Sequence, residues 1–356
     1  MTVYFIVWTC AIILGLAINQ SDYLPNRELT VNSVNHTILA RSLYILLSVI
    51  FVLIAGCRHY VGTDFGAYYR YKNYLDFWQS LRNVDEPGIR LIYSIATRIH
   101  ESGQFCIFSV AAITLGLELR IIYKNTDQIG TAIILFSFMC WTACFNGVRQ
   151  ALAVAVLFCG FPALREKDFK RYLIFALLAY LCHKSAIIMI LISFMTSRKT
   201  SFGNIVLLIL LSTISLYSYD RVFQVVNVVL ENSVTGDELY WSTQVNRLRP
   251  IIRVVQAGFF LYVYRNEEKT ETISFYLNIL LVSAVISIVT MNSAALARMS
   301  MYMGPFTVIA IVELLKKVSD IDRGLITTLI ILLYGIVGYV ECDGVSFTLD
   351  NLKWFW

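Results

Sequence analysis

The chain has 356 residues, of which 58% are hydrophobic and only 15% are charged. With a mean hydropathy of +0.66, this composition excludes a soluble globular protein. A net charge of +5 is ordinary for a membrane protein with basic cytoplasmic loops, so it does not indicate nucleic-acid binding. The eight cysteines are scattered, with no CxxC pair and no metal-ligand spacing to histidine, so we expect no metal site and no cofactor.

Long apolar runs alternate with short polar loops along the chain. A helix needs about 20 apolar residues to cross a bilayer. The runs that meet or approach this length are Tyr4–Asn19, Ile38–Gly56, Phe105–Tyr123, Gly130–Phe145, Gly203–Tyr219, Ile273–Met291 and Leu325–Val340. Including shorter runs, we expect an all-α, polytopic integral membrane protein with about 11–12 membrane segments. No repeat or linker divides the sequence, which predicts a single transmembrane domain over residues 1–356.

The basic loops predict the topology, because Lys and Arg are enriched in short cytoplasmic loops. The loops placed inside for this reason are 165–171, 198–202, 265–269 and 316–323. The segments that then lie outside are 57–103, 146–150, 220–250 and 292–300. Two of them, about 57–103 and 220–250, are sizeable outer loops.

One apolar run, Tyr172–Met195, has basic flanks on both sides and carries His183 and Lys184 near its middle. Ionisable side chains are costly at the centre of a bilayer. Two short helices, Arg171–Cys182 and Ser185–Thr196, would place both side chains at the outer tip of a hairpin or in a cavity. A single long helix is the alternative, and it would invert the topology of everything downstream.

The first polar motif directly follows the second span. Its arginine and aspartate lie within a few residues of the hydrocarbon, which favours a functional site. Glycine lets the backbone approach a ligand closely, and tyrosines at a membrane edge can stack on sugar rings. For the tyrosines alone, an interfacial aromatic belt is the alternative. The candidate binding residues are Arg58, Gly62, Thr63, Tyr68 and Tyr69, and Asp64 is a candidate catalytic residue.

The next two motifs also lie in segments predicted to be outside. Glu86 precedes Pro87 at a predicted helix start, where the acid either serves the site or complements the helix N-terminus. Asn146, Arg149 and Gln150 share a tight turn between two apolar runs. Snorkelling accounts for a lone arginine but not for three clustered polar side chains, so we expect them to bind substrate.

The last two motifs are His183-Lys184-Ser185 and the segment around Arg298. A lone buried histidine is commonly a satisfied core residue, but the neighbouring lysine favours an anion site that includes Ser185. Arg298 either contacts substrate or extends its side chain from the bilayer to the interface.

In the predicted topology, all five motifs open to the outer face. Several cations at a membrane edge suit a phosphate or pyrophosphate headgroup, which arginine can hold with two hydrogen bonds. These cations are Arg58, Arg149, Lys184 and Arg298. The possible proton acceptors are Asp64, Glu86 and His183. The sequence has no P-loop, HExxH helix, GxSxG elbow or DxD pair, so ATP hydrolysis, metalloproteolysis and nucleotide-sugar chemistry lack support.

Five short segments carry a resemblance to a known family. They are Val61-Gly62-Thr63-Asp64, Glu86-Pro87-Gly88, Arg149-Gln150-Ala151-Leu152-Ala153, His183-Lys184-Ser185-Ala186 and Arg298 with Tyr302. In this order they resemble the EpsG family, Wzy-like polymerases of bacterial exopolysaccharide, capsule and O-antigen. The resemblance covers most of the chain.

The resemblance implies a helical membrane glycosyltransferase with a GT-C-like fold in the bacterial cytoplasmic membrane. Such an enzyme transfers a growing glycan from undecaprenyl pyrophosphate to the terminal sugar hydroxyl of a lipid-linked repeat unit. The partners implied are undecaprenyl-pyrophosphate-linked oligosaccharides, the lipid bilayer, a chain-length regulator and a flippase. Pyrophosphate is a good leaving group, so the transfer requires no metal in principle.

The transfer needs cations near the leaving group and a base for the acceptor hydroxyl. As the base we rank Asp64 first, His183 second and Glu86 third. Three alternatives remain. A lipid-linked oligosaccharide flippase would carry its charges in a central cavity between repeated halves. A membrane acyltransferase would use a histidine base, and a glycan ligase would use the same donor with another acceptor.

Cysteine labelling in intact cells tests the topology. In a cysteine-free background, Thr235→Cys should react with a charged, impermeant maleimide, whereas Asp168→Cys should be protected because the membrane excludes the reagent from the cytoplasm. Labelling at position 168 together with protection at position 235 would overturn the predicted topology.

Overall fold

The computed structural model describes residues 1–22, 31–62, 64–70, 86–201, 246–342 and 352, and also 203, 205, 206, 208–210, 212–214 and 217. Thr63 and residues 71–85 and 220–245 of the two outer loops lie outside the described residues, so the expectations placed on them stay predictions. The chain divides into two compact units, Met1–Leu191 with Leu315–Trp356, and Ile192–Leu314.

Helices account for nearly all of the described residues. In chain order they are α1 (Thr2–Asp22), α2 (Val31–Cys57), α3 (Phe65–Arg70), α4 (Pro87–Ile99), α5 (Gly103–Asn125), α6 (Ile129–Met139), α7 (Val148–Phe158), α8 (Phe161–Arg165), α9 (Phe169–Cys182), α10 (Ile188–Thr196), α11 (Leu248–Val263), α12 (Glu271–Val289), α13 (Ala294–Ala297), α14 (Gly304–Leu315) and α15 (Asp320–Cys342). The described residues also include the 3-10 segments Trp141–Phe145, Lys184–Ile187 and Arg298–Met303. Apart from one backbone bridge between Arg58 and Leu352, the described residues form no β-structure.

Among the described residues, six helices are long and apolar enough to cross a membrane. They are Thr2–Gln20, Ile38–Cys57, Gly103–Asn125, Glu271–Val289, Arg298–Leu315 and Asp322–Cys342. Shorter apolar helices are Ile129–Met139, Val148–Phe158 and Lys184–Thr196. The expected all-α, polytopic membrane architecture is confirmed, and the total of about 11–12 segments stays a prediction.

The outer helices of the first unit expose large apolar side chains. Ile13 on α1, Leu46 on α2 and Leu332 on α15 are each more than half exposed. Such surfaces are costly in water, but lipid tails solvate them without penalty. The exposed faces therefore fit a helix bundle surrounded by lipid.

Helix α6 is enclosed by protein, with every residue from Gly130 to Phe138 buried. It packs against α1, where Gly15 leaves no room for a side chain: an added Cβ would lie 2.5 Å from Cγ1 of Ile134. The indole N–H of Trp8 donates to the Ser137 carbonyl at 3.2 Å. A small residue and one polar bond are typical devices of helix association in membranes.

The apolar run Gly130–Phe145, predicted as a span, is not one continuous α-helix, and whether it crosses the membrane stays a prediction. The helix ends at Met139 after 11 residues and is about 16 Å long, too short to cross the hydrocarbon. The backbone continues as the 3-10 segment Trp141–Phe145, whose tryptophan donates from Nε1 to the Phe51 carbonyl at 3.2 Å. Irregular backbone is tolerated at membrane depth only where protein surrounds it, and here Trp141, Cys144 and Phe145 are buried.

The predicted interruption at His183 is confirmed. Helix α9 ends at Cys182, His183 is extended with φ −158° and ψ 124°, and a 3-10 turn leads into α10. Breaking the helix leaves the amide of Lys184 available to another acceptor. Whether the chain turns back across the membrane there stays a prediction.

In the second unit, α12 makes polar bonds to α11 and to the segment that follows α10. Nη1 of Arg253 donates to Oγ of Ser287 at 2.8 Å. The side-chain amide of Asn278 donates to the Arg198 carbonyl at 2.6 Å and its oxygen accepts from Oγ1 of Thr200 at 2.9 Å. These bonds satisfy polar groups that lipid could not.

Candidate functional site

Glu86 joins three parts of the first unit that are far apart in sequence. Its Oε2 accepts a hydrogen bond from Nη1 of Arg149 at 2.6 Å, and its Oε1 accepts one from Nδ1 of His183 at 2.7 Å. The amide of Lys184 donates to Oε1 at 3.2 Å. Both oxygens are occupied and Glu86 is only 6% exposed, so its carboxylate bridges these segments. We call Glu86, Arg149 and His183 the carboxylate cluster.

The backbone around Glu86 explains how the bridge forms. Glu86 has a left-handed conformation with φ 45° and ψ 63°, and Pro87 then starts α4. Proline suits the first helical position because its fixed φ matches the helix and its missing N–H is not needed there. A Cβ on Gly88 would lie 2.6 Å from Sγ of Cys182. Glycine therefore lets the first turn of α4 reach the last turn of α9, which places the carboxylate beside His183.

The charge state of Glu86 follows from its partners. Burial raises the pKa of its carboxyl, since desolvation disfavours the charge. The hydrogen bond from His183, the charges of Arg149 and His183, and the Lys184 amide outweigh burial and hold the pKa below its ordinary value. Glu86 is therefore ionised at neutral pH and is a weak proton acceptor.

An ionised carboxylate can only accept hydrogen bonds, so Nδ1 of His183 must carry the donated proton. In the neutral imidazole, Nε2 then holds a lone pair. None of the described residues bonds to Nε2, and the ring is partly exposed. This orientation by a carboxylate is the arrangement that prepares a histidine to take a proton.

Tyr68 connects Arg149 to the helices around it. Nε of Arg149 donates to the Tyr68 hydroxyl at 3.4 Å, and the Tyr93 hydroxyl donates to the Tyr68 carbonyl at 3.2 Å. Arg149 lies in the first turn of α7, just after Gly147 with φ 64°. The guanidinium is thus fixed by both Glu86 and Tyr68, and it remains about a third exposed.

Asp64 and Asn146 form a reciprocal clamp between two turns. Oδ2 of Asp64 accepts from the Gly147 amide at 3.1 Å, and the Asp64 amide donates to Oδ1 of Asn146 at 3.3 Å. Beside them, Gly62 has φ 91°, and an added Cβ would collide with the Phe145 carbonyl. Because Gly62 has no side chain, its backbone can pack closely against the neighbouring turn at Phe145.

Arg58 is enclosed by protein, with 1% of its surface exposed. Its guanidinium donates to the carbonyl oxygens of Ala55 and Cys144, the latter at 3.2 Å, and lies 5.1 Å from the centre of the Phe145 ring. These contacts hold the end of α2 against the turn before α7. The contacts of Arg58 are therefore structural and lie beside the clamp. Arg149, in contrast, is the cation that binds Glu86 in the carboxylate cluster.

The remaining predicted site residues lie at varied places. Gln150 is buried in the first turn of α7, Ser185 follows Lys184 in the 3-10 turn, and Tyr69 lies 5.8 Å from Phe65 in a stacked pair. Arg298 belongs to the second unit, where it starts the 3-10 segment that leads into α14.

Gln104 is a positioning residue that the sequence reasoning missed. Its Nε2 donates to the carbonyls of Gly56 at 2.7 Å and Arg58 at 2.9 Å, and its Oε1 contacts Nδ1 of His59 at 3.2 Å. The available signal was a glutamine in the first turn of a predicted span, followed directly by a run of apolar residues.

Comparison with known protein families matches residues 41–342. The chain belongs to the EpsG family. The matched region contains the whole carboxylate cluster and the clamp, so the resemblance carried by the short motifs is confirmed. Members of this family are membrane proteins of polysaccharide biosynthesis. No curated protein and no solved structure matches the chain.

The Glu86 bridge predicts a stability effect. Glu86→Gln keeps the shape but removes the charge that Arg149 and His183 share, so the free energy of unfolding should fall by about 1–3 kcal/mol. Thermal unfolding of the purified protein measures this. Asp127→Asn is the matched control, because Asp127 is 90% exposed and its pair with Lys316 should contribute less than about 1 kcal/mol. Equal losses in the two variants would contradict the bridge.

The lowered pKa of Glu86 also predicts a pH window. The stability that its charge provides should be complete above the unfolded pKa of about 4.3 and should be lost as pH falls through the lower folded pKa. The stability difference between wild type and Glu86→Gln should therefore be constant from neutral pH to about 4.5 and shrink below that. A difference that already disappears near pH 6 would be inconsistent with the bridge.

Proposed function

We propose that this EpsG protein is a polysaccharide polymerase that acts on the outer face of the bacterial cytoplasmic membrane. It transfers a growing glycan from undecaprenyl pyrophosphate to the terminal sugar hydroxyl of a lipid-linked repeat unit. The observation that carries the proposal is the carboxylate cluster, which combines an oriented histidine with a fixed arginine at one partly open place. Transfer from a lipid pyrophosphate needs both a proton acceptor and a cation.

In the proposed reaction, Nε2 of His183 takes the proton of the acceptor hydroxyl while that oxygen attacks the anomeric carbon of the donor. The bond between the anomeric carbon and the pyrophosphate oxygen breaks, and its electron pair stays on the leaving oxygen. Undecaprenyl pyrophosphate departs, and the histidine passes its proton to solvent or to the leaving group. Glu86 positions the imidazole and stabilises its charge once protonated.

Arg149 is the proposed electrostatic partner of the leaving group. Negative charge grows on the pyrophosphate oxygen in the transition state, and a cation already fixed in place stabilises that charge without further reorganisation. Arg149 is held from one side by Glu86 and Tyr68 and keeps an exposed part. Lys184, an exposed cation next to His183, supplies a second positive charge.

Asp64, our first-ranked base, has contacts that favour a different role. Its Oδ2 already accepts the Gly147 amide, and its own amide holds Asn146. Side chain to backbone bonds of this kind fix loop geometry. We therefore assign Asp64 to the positioning of the turn before Arg149 and give the proton transfer to His183.

Deletion of the gene, followed by a glycan ladder of the cells, tests the proposed function. A strain without the polymerase should make single repeat units only. Absence of any surface repeat would instead indicate a flippase, and full-length polymer left on the lipid carrier would indicate a ligase. An unchanged ladder would remove the protein from this pathway.

The base assignment predicts the effect of His183→Gln. The amide cannot take up the proton, so turnover in a reconstituted assay should fall by about 10²–10⁴-fold while lipid-linked substrate still binds. His100→Gln is the matched control, since His100 is exposed at the end of α4, outside the carboxylate cluster, and its substitution should change turnover by less than about twofold. Turnover of His183→Gln within a few-fold of wild type would eliminate His183 as the base.

Asp64→Asn separates the clamp from proton transfer. The asparagine oxygen can still accept the Gly147 amide, so we expect turnover to fall by no more than about tenfold, the equivalent of one weakened hydrogen bond. Asp64→Ala, which removes the acceptor, should cost more. If turnover of Asp64→Asn fell by about 10²-fold or more, Asp64 and not His183 would be assigned as the base.

A further inference from the structure

A short turn after α2 is anchored from several sides. The buried Gln104 binds the carbonyls of Gly56 and Arg58 and the ring of His59. The Arg58 backbone also pairs with Leu352. Because the residues before and at the turn are fixed, the direction in which the next side chain leaves the protein is fixed as well.

The next residue, Tyr60, is held outward in a conformation that tyrosine disfavours. Its φ is +54°, in the left-handed region, and its side chain is 70% exposed. A bulky side chain rarely adopts this conformation, whereas glycine or asparagine adopts it readily. An exposed large aromatic ring on a strained backbone suggests that the ring is retained for contact with something outside the chain.

Tyr60 does not stand alone. Its ring lies 4.6 Å from the ring of His59 and 5.3 Å from that of Phe65, measured between centres. Tyr69 stacks on Phe65 at 5.8 Å and lies 5.9 Å from His59. We call His59, Tyr60, Phe65 and Tyr69 the aromatic ledge. Phe65 is buried at its base, Tyr69 is half-buried, and Tyr60 provides the exposed ring.

The aromatic ledge adjoins the carboxylate cluster through α3. Phe65 and Tyr69 are four residues apart and so share one face of this helix. Between them, Tyr68 leaves the helix in another direction and contacts Arg149. One six-residue helix thus carries two members of the ledge, Phe65 and Tyr69, together with the Tyr68 contact of the carboxylate cluster. This helix therefore places the ledge next to the cluster at which the glycan reacts in the proposed function.

We propose that the aromatic ledge is a sugar-binding subsite, with Tyr60 as its principal contact, which holds a pyranose ring of the glycan near the reacting bond. This inference rests on the proposed function. The C–H bonds on one face of a sugar are electropositive and fit against the negative face of an aromatic ring. The imidazole of His59 supplies a polar atom for the rim of such a sugar.

An interfacial tyrosine that only anchors the protein in the membrane is the competing explanation. Tyr262 provides the comparison, because it is 63% exposed and its ring lies 3.8 Å from the guanidinium carbon of Arg265. It belongs to α11 in the second unit and has no part in the ledge. If exposure at the membrane edge were the whole role of Tyr60, substitution of either tyrosine should have the same effect.

Binding by purified protein tests the subsite directly. The probe is a two-repeat oligosaccharide. It is released by partial acid hydrolysis from the surface polysaccharide of wild-type cells. Saturation-transfer NMR should show that sugar C–H protons contact the wild-type protein. Calorimetry should give the affinity of the wild-type protein for the oligosaccharide. Tyr60→Leu and Tyr60→Asn should weaken binding by about 3–10-fold, whereas Tyr60→Phe, which keeps the ring, and Tyr262→Leu should bind as wild type does.

Tyr60→Asn controls for misfolding of Tyr60→Leu, because asparagine readily adopts the left-handed backbone conformation. Wild-type binding by the folded Leu or Asn variant would overturn the subsite, as would a loss in Tyr60→Phe equal to that in Tyr60→Leu. An equal loss in Tyr262→Leu would assign the effect to membrane anchoring.

In the reconstituted assay, Tyr60→Leu should raise KM and leave kcat within about twofold of wild type, because the ledge contacts the glycan both before and during transfer. Failure of the proposed function would appear separately, in the glycan ladder of the deletion strain.

Discussion

The rest of the site depends on the hydrogen bonds that the buried carboxylate of Glu86 accepts. This carboxylate is a desolvated anion whose two oxygens are taken by an arginine, a histidine and a backbone amide. A buried charge is tolerated only when it is paired and fully hydrogen-bonded, so each partner is needed to keep the others in place. Glu86 therefore determines both where Arg149 stands and which nitrogen of His183 faces outward.

Much of the local order around the site comes from residues that have no reactive group. Gly62 and Gly88 remove side chains where two backbones meet, Pro87 sets the start of a helix, and Gln104 satisfies the end of α2. In the proposed mechanism, these neighbours orient the reacting groups. Enzyme sites in general need such support, because a misplacement of about 1 Å costs much of the rate.

The sequence was sufficient for the class of fold and the helix break at His183, because hydropathy and the cost of mid-bilayer charge act locally. The short motifs were also sufficient for the family. It was not sufficient for roles. Arg58 and Arg149 look alike as arginines at the edge of a span, yet one binds backbone carbonyls within the protein and the other meets Glu86. The difference depends on contacts 86 and 63 residues away. The same applies to the apolar run from Gly130, whose break at Met139 depends on enclosure by neighbouring helices.

The spacing of the carboxylate cluster along the chain has a consequence for biosynthesis. Glu86 lies 63 residues before Arg149 and 97 before His183. As the ribosome delivers the chain to the membrane, the acid enters its surroundings first and remains without its cation until α7 has emerged. The imidazole arrives only after α9 is complete. Charge compensation at Glu86 is therefore complete only once α9 has been made, while α15 of the same unit is still to follow.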